Sequence, residues 1–180
     1  MKHAFRKAFL SSVLTVASMN AAHADVITVG TRSPGTAGEN SLPFGYTTIQ
    51  NVRYQQIYGA AAFGAIDEPI YINSLKFFAD AQSCGPWGCY EQAQSVSEGH
   101  YVVRLSTTSK TVSGLSTTSM NDNLGADVAT FFSGNLKDTL TISGEAFRYD
   151  RTMGNLLLEI VMSNVVFNGS YYWASSATND

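Results

Sequence analysis

Beyond residue 24 the chain has one imidazole, His100, two thiols, Cys84 and Cys89, and a scatter of carboxylates, so the chemistry open to it is narrow. A serine or cysteine nucleophile needs a base beside it and a third group to orient that base. His100 stands alone beside Gly99 at the start of an alternating stretch, reads as a surface or edge histidine, and is given no catalytic role. Glycoside hydrolysis would need two carboxyl groups about 5 to 10 Å apart across a cleft. The candidates are Asp67, Glu68, Glu91, Glu98, Glu145, Asp150 and Glu159, but no spacing pairs any two of them, and Asp67-Glu68 before Pro69 reads as an exposed turn. A non-catalytic protein is the expectation, and a carbohydrate-active enzyme whose carboxylates meet only in the fold is the alternative.

The cysteines are separated by Gly85-Pro86-Trp87-Gly88. In an exported chain an even pair this close reads as a disulfide closing a small loop, worth about 2 kcal/mol at most on loop-entropy grounds. Redox-active pairs have two intervening residues and a helix N-terminus to lower a thiol pKa, and zinc wants four ligands, so neither fits as well. Oxygen ligands gather in Asn121-Asp122-Asn123-Leu124-Gly125-Ala126-Asp127, which makes Asp122, Asn123 and Asp127 candidates for a structural calcium. The same residue types are the ordinary residues of turns, where they bond nearby backbone. No other cofactor is expected. Trp87 on the cysteine loop, with Tyr90 beside it, is the candidate for stacking on a sugar face, because a Trp between Pro and Gly on a polar loop is not needed by a core.

These residues sit in a chain that begins with export chemistry. Lys2, Arg6 and Lys7 precede an apolar run from Ala8 to Ala17 and then Ala22-His23-Ala24. This is the pattern of a secretory signal peptide (1–24) cleaved before Asp25, leaving one domain at 25–180. The apolar run is too short to span a bilayer, and the mature chain is expected to have no membrane span. Three of the eleven Lys and Arg leave with the signal and all fourteen Asp and Glu stay, so eight stand against fourteen and the mature net charge is −6. That balance argues against nucleic acid or anionic lipid as partner.

Positioning falls to strands. Gly99 to Thr107 alternates Tyr101, Val103, Leu105 against Val102, Arg104, Ser106, which is period two over a length that marks a half-buried strand. Further strands are expected at 25–31, 53–58, 70–79, 129–133, 139–149, 156–163 and 170–175, with a helical turn near 60–64. The 80–98 stretch should be a long loop or distorted hairpin. Leu156 to Met162 has helical propensity, but Gly154-Asn155 in front and the strand-rich context favour a strand buried on both faces. Strands at this spacing predict an all-β fold, a single jelly-roll-like β-sandwich.

Several strings resemble bacterial exported proteins that carry a PEP-CTERM sorting signal. They run from Val52-Arg53-Tyr54-Gln55-Gln56-Ile57-Tyr58 through Ile72-Asn73-Ser74-Leu75-Lys76-Phe77-Phe78 and Tyr101-Val102-Val103-Arg104-Leu105-Ser106-Thr107-Thr108. Asn123-Leu124-Gly125-Ala126-Asp127, Phe132-Ser133-Gly134-Asn135-Leu136, Phe147-Arg148-Tyr149-Asp150 and Gly154-Asn155-Leu156-Leu157-Leu158-Glu159-Ile160 follow in order. The resemblance implies a β-sandwich ectodomain exported by a Gram-negative, exopolysaccharide-making bacterium. Its location would be secreted, periplasmic or on the cell envelope, with polysaccharide as partner and no catalytic motif. The sequence departs from that pattern at Arg151, where the family has proline, and in ending at Asp180 without a C-terminal anchor, so a freely released member or a lost tail is expected. Matrix or surface association with carbohydrate-binding capacity is the function this reading predicts.

Overall fold

The computed structural model describes residues 26–29, 44, 51–77, 83–85, 88–90, 96–139 and 141–166, with 83–85 and 88–90 described by their backbone alone. They form eight strands: β1 (Val52–Tyr58), β2 (Ile70–Lys76), β3 (Ser83–Gly85), β4 (Gly88–Tyr90), β5 (Glu98–Thr108), β6 (Ala129–Leu136), β7 (Thr141–Tyr149) and β8 (Asn155–Val166). Short 3-10 turns occupy Ala60–Phe63 and Met120–Asn123. All pairings are antiparallel, in a four-stranded sheet ordered β1-β8-β5-β6, a two-stranded sheet β2-β7 and a separate ribbon β3-β4. Among the described residues no helix is long and apolar enough to cross a membrane. The all-β, sandwich-like expectation is met. Six of the described strands make up the two sheets, and their order does not by itself establish a jelly roll.

Period two explains β5. Tyr101, Val103 and Leu105 are buried in the core, while His100, Val102 and Arg104 point to the other face and are half-buried. The β8 expectation is also met, since Leu156 through Ile160 are buried without a break. Leu156, Leu158, Ile160 and Met162 enter the main core, whereas Leu157 and Glu159 lie on the outer side, beneath the 109–128 segment. Over 156–160 this strand, flanked by β1 and β5 and covered on both faces, has no solvent side, so alternation disappears; from Val161 onward the outer face opens again.

The core is closed by Ile142, Phe147 and Tyr149 of β7, with Phe131 of β6 and Phe63 of the first 3-10 turn. Full burial of each such side chain contributes about 1.5–3 kcal/mol relative to exposure. On β6 the register steps from Phe132 opposite Val103 to Thr130 opposite Arg104. This bulge lets two successive residues serve the core, with Phe131 buried and Phe132 packed against it. The sheets meet closely at Gly144, where an added Cβ would stand 2.1 Å from the Phe131 carbonyl oxygen. Tyr101 Oη donates to the Ser97 carbonyl at 2.5 Å, and burial raises the pKa of this phenol far above its usual range.

Some expectations change. Residues 26–29 have no strand partner, and Val26 is 90 % exposed, so their alternation does not make a strand. The 80–98 stretch, expected as a long loop or distorted hairpin, holds the short antiparallel β3-β4 hairpin among its described residues, and β5 begins at Glu98 rather than Gly99. The strand expected at 170–175 lies outside the described residues.

Candidate functional site

Antiparallel register decides which side chains share a face. Gln55 on β1, Glu159 on β8 and Arg104 on β5 stand directly opposite one another. Their shared face is the outer side of the four-stranded sheet, away from β2-β7. Glu159 is fully buried, and its Oε1 accepts from Arg53 Nε at 2.8 Å, Arg53 Nη2 at 2.6 Å and Gln55 Nε2 at 2.7 Å. Its Oε2 lies 3.1 Å from Arg104 Nη1, an ion-pair distance without hydrogen-bond geometry, and has no hydrogen-bond partner. A buried carboxylate costs several kcal/mol in lost hydration, and charge-assisted bonds of this kind offset it. The two arginines keep about a third of their side chains in solvent, at 31 % and 35 %.

The 109–128 segment is bound down onto this face. Arg53 Nη2 donates to Asn121 Oδ1 at 2.7 Å and Gln55 Nε2 to the Met120 carbonyl at 2.9 Å. Asn123 is buried; its Nδ2 donates to Gln55 Oε1 and the Ser116 carbonyl, and its Oδ1 accepts from the Ser116 amide. Asp127 Oδ1 accepts from the Thr107 amide at 2.7 Å, and the Gly125 amide donates to Ser106 Oγ at 3.2 Å. Of the three calcium candidates, then, Asn123 and Asp127 spend side-chain oxygens on backbone amides, and Asp122 is exposed on the 3-10 turn. Among the described residues no group of three His, Cys, Asp or Glu is placed to hold a metal.

A second face lies on the opposite side of the molecule, outside β2-β7. Ile70, Ile72 and Leu75 pack against the core, so Tyr71 between the two isoleucines points outward and is 66 % exposed. Arg148 stands directly across from it, with 54 % of its side chain in solvent. Arg148 Nη2 lies 3.8 Å from Asp150 Oδ2. The Thr152 hydroxyl and amide, helped by Arg148, hold the Asp150 carboxyl below its usual pKa range. Lys76 and Thr141 form another outward, exposed cross-strand pair. Sequence reading passed over Tyr71, although an aromatic between two isoleucines in a strand carries the signal.

The remaining candidates divide. Trp87 lies outside the described residues, as does the side chain of Tyr90, whose backbone ends β4. Cys84 and Cys89 are directly opposed in the β3-β4 register, where Cα atoms stand about 4.5–5.5 Å apart, within disulfide reach. His100 sits on the outer face of β5, opposite Asn135 and Ser163. Four of the carboxylates pair with different cations: Glu159 with Arg53 and Arg104, Glu98 with Lys137, Asp150 with Arg148 and Asp67 with Arg151. A shallow depression lined by Phe63, Ile66, Glu68, Ile70, Tyr149 and Arg151 encloses no space for a ligand. No family model, curated protein or solved structure matches the chain.

Proposed function

We propose that this chain is an exported, non-catalytic β-sandwich protein, associated with a matrix or cell surface, that binds carbohydrate on the outer face of β2-β7. The observation that carries the reading is Tyr71, an aromatic ring two-thirds exposed on a strand whose neighbours on either side anchor it in the core. An aromatic of this kind offers an apolar plane to the C–H face of a sugar and a hydroxyl at its rim. Arg148, directly across the ladder, supplies donors to sugar hydroxyls. Because both side chains stand on paired strands, little backbone ordering is left to offset on binding.

The rest of the reading follows from the sequence. The N-terminal signal directs export with cleavage before Asp25, the PEP-CTERM resemblance supplies the extracellular setting in a Gram-negative bacterium, and Cys84 and Cys89 form a disulfide that staples the β3-β4 ribbon. Trp87 and Tyr90 on that ribbon are a further aromatic surface for the same ligand class. A glycosidase is disfavoured because the carboxylates with described partners are each engaged by a separate cation on separate elements.

A glycan array probed with the exported protein tests this. Binding should appear for at least one polysaccharide class. Tyr71→Ala should weaken it by about tenfold, the loss of one stacking contact of about 1.4 kcal/mol, with an unchanged melting temperature. Tyr71→Phe should retain it. The absence of binding to every glycan would leave a structural or assembly role in its place, and full binding by Tyr71→Ala would move the site elsewhere.

A further inference from the structure

We infer that the opposite face, outside β1-β8-β5-β6, carries a second site selective for carboxylate-bearing sugars, with Arg104 as its anchor and Arg53 as the fixed charge behind it. That the ligand is a glycan rests on the function proposed above; the site and its charge preference rest on different observations.

The first is a charge surplus. Two guanidiniums converge on one buried carboxylate, so the cluster keeps one positive charge in a chain that is acidic as a whole. The second is the unequal use of the two arginines. Arg53 spends Nε and Nη2 on Glu159 and Asn121. Arg104 brings only Nη1 to Glu159, and among the described residues its side chain makes no hydrogen bond. Its planar fork, a third exposed, is thus held near Glu159 by charge while its donors stay available for a bidentate carboxylate.

The third observation is what surrounds it. Along β5 the same face continues through Val102 to His100, and the cross-strand partners there are Val161 and Ser163 on β8 and Ser133 and Asn135 on β6. Val102 and Val161 make a half-buried apolar floor, and Ser133 and Asn135 are exposed. Side chains on such a face repeat about every 7 Å along a strand and about every 4.8 Å across strands, spacings on which adjacent sugar hydroxyls can be met by adjacent residues. Among the strand residues of this face from Arg53 to Asn135, Glu159 is the one carboxylate and is already neutralised; Asp122 and Asp127 belong to the 109–128 segment at the far end, and Glu98 beyond His100 is paired with Lys137. Charge complementarity therefore selects an acidic glycan over a neutral one.

The test is affinity electrophoresis of the exported protein through gels containing polygalacturonate, its methyl ester, neutral dextran or polyglutamate. Polygalacturonate should retard the protein more than its methyl ester, and added salt should weaken that retardation. Arg104→Gln should reduce polygalacturonate affinity about tenfold, and Arg104→Lys should restore part of it, because charge survives and the fork does not. Equal retardation by acid and ester, or unchanged affinity in Arg104→Gln with a normal melting curve, would overturn this site while leaving carbohydrate binding standing. Retardation by polyglutamate equal to that by polygalacturonate would overturn the sugar assignment, and failure of all the sugar polymers would overturn both proposals.

Discussion

Among single side chains, Glu159 is under the greatest electrostatic constraint. Its carboxylate is fully enclosed, Oε1 is saturated by three donors from two residues of β1, and Oε2 relies on the attraction of Arg104. Replacing it with Gln keeps the shape, removes the charge and leaves two guanidiniums facing each other. Breaking a buried pair from one side costs about 3–5 kcal/mol, and the lower end applies because both arginines can turn to solvent. Glu159→Gln should therefore lower stability by about 3 kcal/mol. Urea unfolding reads this as a lower midpoint at constant slope, and a midpoint equal to the parent's would show that the network contributes nothing. Little of this cluster was legible in the sequence. The hydrophobic run around Glu159 predicts its burial, but Arg53 is 106 residues away and becomes its partner only when β1 aligns against β8. Tyr71, by contrast, needed no long-range information, since its two isoleucine neighbours fix its direction.

For whole elements, the difference between what alternation reveals and what it hides follows from coverage. β5 has one face on the core and one half open, so its sequence shows period two. β8 is covered twice, by the second sheet and by the 109–128 segment, so its sequence shows a continuous apolar run, and the strand assignment there rested on flanking residues and context. Residues 26–29 alternate but have no partner strand, and hydrogen-bond pairing rather than pattern decides whether a strand forms. The 109–128 segment carried the weakest signal: its Asn and Asp residues suggested calcium, yet Asp127 caps the Thr107 amide and fastens the segment to β5, while Asn123 caps the Ser116 amide within the segment and donates to Gln55 of β1. Gly125 shows how close that attachment is, because a Cβ there would stand 1.8 Å from the Thr107 carbonyl oxygen. Gly125→Ala should cost about 2–3 kcal/mol, as overpacking against backbone does. Hydrogen exchange should then show faster exchange of the Thr107 and Leu124 amides. Gly59→Ala, where the nearest atom is a Val112 methyl at 3.7 Å, should change neither. Equal stability of Gly125→Ala and Gly59→Ala would mean the segment is not clamped.

On the scale of the whole molecule, the two outer faces point in opposite directions because the inner faces share one core. A protein whose two faces each hold sugar would link two polymer strands, which suits a matrix role and raises avidity without new contacts. The β3-β4 ribbon stands apart from both sheets in its hydrogen bonding, and this separation limits what its cysteines can contribute. Closing a loop as short as Cys84 to Cys89 removes about 2 kcal/mol of unfolded-chain freedom at most. At this chain size that corresponds to a fall in Tm of no more than about 8 °C on reduction, with cooperative unfolding retained. Thiol titration of protein purified under oxidising conditions should find no free cysteine before reduction and two after it. Thermal melts with and without reductant should differ by only that small shift, because Tyr101, Ile160, Phe147 and their neighbours pack the two sheets together without the ribbon. Free thiols in that protein would remove the staple, and loss of the cooperative transition on reduction would show that the ribbon supports the core after all.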